Sequence, residues 1–220
     1  MNTKGERDWE DVTLLNAIYA GVDVGLLHNW PGAFMLPKPK RGTAPVGSPE
    51  HALLEQSDIW ARVNGTLVPL VECKHHTGPN CMLEVMGWDA RKLSKDKIYK
   101  VEFGTVSGIM KSKAAVLAQR VRSEEIYLDM RGVIRMVMWA ESEGEKPHPC
   151  NSRPGENHPT WCHMTPPASY TELYNHGTFT FKSGRKYTWP KEDREVLERM
   201  VIRQTSGFRT IEEVKKEYGV

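Results

Sequence analysis

Asp58-Ile59-Trp60-Ala61-Arg62-Val63-Asn64-Gly65 and, after Thr66-Leu67, Val68-Pro69-Leu70-Val71-Glu72-Cys73-Lys74 read as two strands, over about 56–74, folded back on each other. Asn64-Gly65 is a favoured hairpin turn, since its central positions accept the positive φ that such a turn demands. Successive strand side chains alternate faces, so Glu72 and Lys74 share one face while Val71 and Cys73 share the other. An Asp on the partner strand then brings two hard carboxylates, Asp58 and Glu72, beside one ammonium, Lys74. That grouping can ligate Mg²⁺ or Mn²⁺, with the lysine set to meet a phosphate or steer an attacking water. The bland competitor is an exposed hairpin with a surface Glu–Lys pair, which is worth little energetically.

The rest of the chain bounds this reading. Its 220 residues allow one core domain with appendages, and 39% hydrophobic content suits a soluble globular protein. No apolar run approaches the ~20 residues of a membrane helix, and the start MNTKGERDWEDV has no apolar signal region. A cytoplasmic protein is expected. A net charge of +2 excludes a histone-like polycation and leaves nucleic-acid contact to a local patch. Without a signal peptide, Cys73, Cys81, Cys150 and Cys162 are expected to be reduced thiols. His148, Cys150, His158, Cys162 and His163, with Cys81 as a further donor, invite structural Zn²⁺ as an alternative. Their spacing fits no standard paired-cysteine pattern.

Around the hairpin, residues 8–22 predict a helix, with Val12, Leu15, Ile18, Tyr19 and Val22 at helical spacing. Residues 23–50 are too rich in Pro and Gly for regular structure over most of the stretch. A short helix is expected over Met82–Leu93, a second over Ser107–Glu125, and a third strand over Val133–Ala140. Pro69 is expected at the first position of its strand, where proline is tolerated. Glu141–Pro167 breaks the composition with prolines, histidines and cysteines, and Phe179–Trp189 alternates as a hairpin around Ser183-Gly184. Two helices, 190–203 and 209–218, close the chain. The expectation is an α/β core with a central mixed sheet flanked by helices over 1–140. A loop-rich and hairpin extension follows over 141–189, then a helix pair over 190–220 that would suit a dimer interface.

The order Lys4-Gly5, an early helical acid, Gly47-Ser48, Asp58-Ile59, Asn64-Gly65 and Glu72-Cys73-Lys74 resembles the PD-(D/E)xK nuclease superfamily, most closely the archaeal and phage Holliday junction resolvases. It spans roughly residues 4–74 and extends loosely to Trp139. The resemblance implies a restriction-endonuclease-like core, a homodimer, and Mg²⁺-dependent hydrolysis of phosphodiester bonds in branched duplex DNA. It implies that Asp58 and Glu72 ligate the metal together with a helical acid, Glu10 or Glu6, and that Ser48 or Ser57 fills the serine position. Ser57 stands where the superfamily's name expects proline.

Basic residues gather at Lys38, Lys40 and Arg41 in the first loop and at Arg91, Lys92, Lys95, Lys97, Lys100, Lys111 and Lys113. Most such runs are solvated faces. Beside a metal site they would supply phosphate contacts that position DNA without reading its sequence. The competing functions are a restriction-type or other DNA-processing nuclease of the same superfamily, and a non-catalytic DNA-binding protein with a degenerate nuclease fold.

Overall fold

The computed structural model describes residues 4–26, 28–37, 48–92, 99–106, 108–122, 124–150, 160–191, 195 and 199–220. Helix α1 (Lys4–Tyr19) buries Trp9, Val12, Thr13, Asn16 and Ala17, an i, i+3, i+4, i+7, i+8 stripe that sets its inward face. A short strand β1 (Phe34–Met35) and helix α2 (Pro49–Leu54) follow. The hairpin is β2 (Ile59–Val63) and β3 (Thr66–His76). Its turn forms at Asn64-Gly65, with φ of 50° and 79°.

Beyond the hairpin come β4 (Cys81–Lys92), β5 (Tyr99–Val106), β6 (Val116–Val121), β7 (Glu124–Asp129) and helix α3 (Met130–Ser142). Then follow β8 (His148–Cys150), β9 (Thr160–Thr165), helix α4 (Ala168–His176), β10 (Thr178–Thr180), β11 (Lys186–Thr188), β12 (Val201–Ser206) and helix α5 (Ile211–Tyr218). The central sheet runs β1-β2-β3-β6-β7-β12. It is mixed: β3 and β6 are parallel, in register from Val71–Val116 to His76–Val121, and the other neighbours are antiparallel.

Alternation along the central strands divides two cores. Cys73, Val116, Ala118 and Tyr127 pack with Trp9 and Val12 of α1 and Val214 of α5. Leu117, Val121, Ile126 and Leu128 pack on the other side with Val133, Met136 and Val137 of α3 and with Tyr170 and Phe179. The chain is therefore α/β, a mixed sheet with helices on both faces. A second sheet, β5-β4-β9-β8, lies beside it, and β10-β11 form the hairpin expected around Ser183-Gly184. No helix among the described residues is long and apolar enough to cross a membrane.

Several local expectations are corrected. The expected helix over 82–93 is strand β4, paired on both edges with β5 and β9. The expected helix over 107–125 is a 3-10 turn (Gly108–Met110) followed by β6 and the start of β7. Val116–Val121 is buried almost without interruption between two strands, and that context overrides the helix propensity of Leu117, Ala118, Gln119 and Arg120. The expected strand over 133–140 is α3, started by the Asp129 side chain accepting from Gly132 N at 2.7 Å. Its buried residues, Met130, Val133, Met136, Val137 and Ala140, follow the helical period, whereas a strand would bury alternate residues.

The same holds at the end of the chain. The expected helix 190–203 becomes strand at Val201, whose β-branched pair Val201-Ile202 starts β12 along β7. Both expected boundaries are crossed by strand pairing, since β9 joins β4 and β12 completes the central sheet. Pro69 lies inside β3, opposite Trp60 and next to a register shift between Ile59 and Trp60. Its missing N–H is tolerated there because the pairing with β6 starts only at Val71.

The helical assignment of α3 has a direct consequence. Met136→Ala should cost about 2–5 kcal/mol of stability by core truncation, read from urea midpoints. Met138→Ala, at a position 57% exposed, should stay within about 0.5 kcal/mol. Equal losses at the two positions would restore the strand reading.

Candidate functional site

Asp58 stands just ahead of β2, where its backbone N–H donates to Val71 O at 3.0 Å. The local bend is locked by Ser57, whose buried hydroxyl lies 2.8 Å from Ile59 O and 2.9 Å from Val71 O. Trp60 Nε1 donates to Ser57 O at 2.8 Å. Ser57 thus serves the backbone. The bend turns Asp58 back onto β3, and Asp58 Oδ2 accepts the Cys73 N–H at 2.8 Å. The carboxylate is held at the level of the residue between Glu72 and Lys74.

Glu72 and Lys74 share a face of β3, and Lys74 Nζ lies 2.6 Å from Glu72 Oε1. Glu72 is buried, its side chain 8% exposed, whereas the Lys74 side chain is half-buried at 27%. Ser112 Oγ donates to Gln56 O at 2.8 Å and approaches Glu72 Oε2 at 3.5 Å, the outer limit of a hydrogen bond. Burial is the largest influence on Glu72. It lifts the carboxyl from 4.5 to about 7, Lys74 opposes that rise, and Asp58 and Glu84 add to it. Burial would lower Lys74, but Glu72, Asp58 and Glu84 more than reverse this and hold its ammonium above the ordinary range. His76, two residues on, is pushed down to about 4 by burial with Lys74 and His75 beside it, so its ring is neutral at neutral pH.

The alternative helical acids separate. Glu10 is buried on α1, while the Glu6 side chain lies outside the described residues. Glu10 bears on β3 at Cys73, whose thiol is raised by burial first and then by Asp58, Glu10 and Glu72. Cys73 packs in the α1 core, and Glu10 lies close enough to β3 to act on it together with Asp58 and Glu72. Asp58, Glu72 and Lys74 are brought together, and Glu10 lies near the same strand at Cys73.

Glu84 was hidden by the helical expectation for 82–93. Read as a strand, Cys81-Met82-Leu83-Glu84-Val85 alternates buried and half-buried residues, and Glu84 takes an outward position. Gly108, at φ +55°, backs it so closely that a Cβ there would lie 2.5 Å from Glu84 Cβ and O. Gly108 O also accepts from Ser112 N at 3.1 Å. A single glycine turn thus carries both Glu84 and the serine that approaches Glu72.

Among the remaining expected contacts, Ser48 opens α2, its carbonyl accepting from Ala52 N at 2.9 Å. Arg91 and Lys92 lie on β4 opposite Lys100 and Tyr99 of β5. Lys38, Lys40, Arg41, Lys95 and Lys97 lie outside the described residues. Lys111 forms an exposed pair with Glu55 at 3.3 Å. The four cysteines are free thiols and buried. His163 Nε2 sits 2.8 Å from Glu141 Oε1, and His158 is not among the described residues.

Among the described residues no three His, Cys, Asp or Glu side chains form a preassembled cage for a metal ion. Mg²⁺ does not require one, because it keeps several waters and takes one or two carboxylates. The donor chemistry fits such an ion: among the described residues that act on Glu72, Asp58 and Glu84 add negative charge and Lys74 is the cation.

The metal-free protein offers a check on this electrostatic picture. A folded carboxyl raised from 4.5 to about 7 contributes stability below pH 4.5 that is lost as pH rises through 7. In EDTA, the parent should lose urea resistance relative to Glu72→Gln between pH 5 and pH 8. Parallel pH profiles for the two proteins would contradict it. The chain matches no family model, no curated protein and no solved structure.

Proposed function

We propose that this chain is a Mg²⁺- or Mn²⁺-dependent DNA endonuclease that hydrolyses phosphodiester bonds, with a restriction-endonuclease-like core and a preference for branched duplex like that of a Holliday junction resolvase. The observation that carries the reading is the Asp58 carboxylate pinned on the Cys73 amide beside the Glu72–Lys74 pair. A surface ion pair needs no second acid fastened to the strand backbone next to it, and a nuclease centre does. The order of elements supports the core: a helix, a hairpin bearing the acids and lysine, and a following sheet strand, β6, parallel to β3.

In this reading Asp58 and Glu72 would hold the cation, with Glu84 close by. When bound, a divalent cation lowers the pKa of its water and offsets charge on the scissile phosphate. Lys74 contacts a phosphate oxygen or orients the attacking water, and such positioning and electrostatics supply most of phosphoryl-transfer catalysis. The Ser57 bend keeps Asp58 in place without touching DNA. Basic residues of the first loop and of β4, Arg91 and Lys92 among them, would meet the backbone of the duplex. A homodimer would present two such sites to the two strands of a junction.

The test uses four-way junction, flap, linear duplex and single-stranded DNA with Mg²⁺. The junction should be cut fastest. Asp58→Asn and Lys74→Met should each lower the rate at least about a hundredfold while junction binding, measured by gel shift in Ca²⁺, stays near the parent's. Exclusive cutting of linear duplex would end the resolvase version, and full activity in Asp58→Asn would end the assigned site.

A further inference from the structure

We propose that Gln119 is a positioning residue for Lys74: its carboxamide oxygen is the second acceptor of the Lys74 ammonium, taken up when a divalent cation claims Glu72. The inference rests on the cation-site reading above and deepens it. Gln119 lies on β6 at the register position paired with Lys74 on β3. Its residue is 0% exposed. Neither its Oε1 nor its Nε2 has a hydrogen-bond partner among the described residues.

A buried carboxamide with both ends unmet is costly, and a methionine of similar size would avoid the cost. The surroundings say what the amide is there for. Its neighbours on the same face are Leu117 and Val121 along β6 and Ile126 on β7, all buried and apolar, and Lys74 on β3. Lys74 is the charged member of that set; His76, paired with Val121 on the same face, is a further polar group beside it. Paired strands lie about 4.8 Å apart, a gap that the four-carbon stem of a lysine spans with ease.

Lys74 Nζ now rests on Glu72 Oε1 at 2.6 Å. A cation that takes the same carboxylate repels the ammonium from it. Without another acceptor, Lys74 would either compete with the ion or lose its hydrogen bond inside a half-buried site. Gln119 Oε1 removes that conflict by receiving one Nζ–H across the β3–β6 ladder. Lys74 stays charged beside the cation and keeps its other N–H groups for a phosphate. Gln119 acts only through Lys74 and touches neither DNA nor cation.

The test is a double-mutant cycle read by calorimetric titration of the full chain with MnCl₂, without DNA. Gln119→Met should weaken Mn²⁺ binding about tenfold or more, as expected for a lost hydrogen bond to a charged group. In a Lys74→Met background the same change should matter by about twofold at most, because no ammonium needs rehousing. Gln119→Glu retains an acceptor and should bind Mn²⁺ at least as tightly as the parent, which keeps the idea testable if Gln119→Met folds poorly. Equal weakening with and without Lys74, no weakening at all, or loss of binding in Gln119→Glu would each overturn the assignment and leave the cation site standing. Absence of Mn²⁺ binding in both the parent and Lys74→Met would remove the cation site itself and this inference with it.

Discussion

The amide of Cys73 donating to Asp58 Oδ2 at 2.8 Å is the joint on which the candidate site depends. It ties a side chain that precedes β2 to the backbone of β3, between the two residues that carry the opposite charges. The joint lies beside the register shift of β2 between Ile59 and Trp60. That irregularity, braced by the Ser57 hydroxyl, turns Asp58 back onto β3 when the next residues are already paired. The Asn64-Gly65 turn fixes which residue faces which, and a one-residue slip would send Glu72 and Lys74 to the α1 core. Geometry at the site is therefore a property of the hairpin's register.

The energetic consequence is a half-buried excess of negative charge. Asp58 and Glu84 both act on Glu72, with Lys74 as its counter-charge, and burial leaves Glu72 resisting ionisation. On the proposed reading, a small cation with its waters would offset that charge better than one ammonium does. The fold builds this tension from both sheets: β3 brings Glu72 and Lys74, β4 brings Glu84, and Gly108 permits the close approach that seats Glu84. The neighbouring strand β6 completes the surroundings with the buried amide of Gln119, placed in register with the lysine.

What could be read from the sequence was what local chemistry fixes. Asn64-Gly65 and Ser183-Gly184 announce turns because few residues accept positive φ, and Asp58, Glu72 and Lys74 are visible as soon as strand alternation is applied to that hairpin. Helix α5 announces itself through Thr210 and Glu213, which cap each other at its start. The failures came where burial on two sides erases periodicity. Val116–Val121 lies in the sheet interior, and its Leu, Ala, Gln and Arg carry helix propensity that pairing with β3 and β7 overrules. Val133–Ala140 looks like a strand by composition, yet its burial follows turns of a helix begun by Asp129. Misreading β4 as a helix concealed Glu84, and misreading β6 concealed Gln119, since neither face nor register can be assigned without the right period. The joining of β12 to the central sheet rests on pairing with β7, far away in sequence, which no local signal encodes.

The central claim is that Asp58 and Glu72 converge on one small cation with Lys74 beside it. Anomalous diffraction from crystals soaked in Mn²⁺ examines this most directly. The account predicts a peak at coordination distance from carboxylate oxygens of both Asp58 and Glu72, with Lys74 Nζ displaced from Glu72. A peak bound elsewhere, or no peak near these two residues at saturating Mn²⁺, would contradict it.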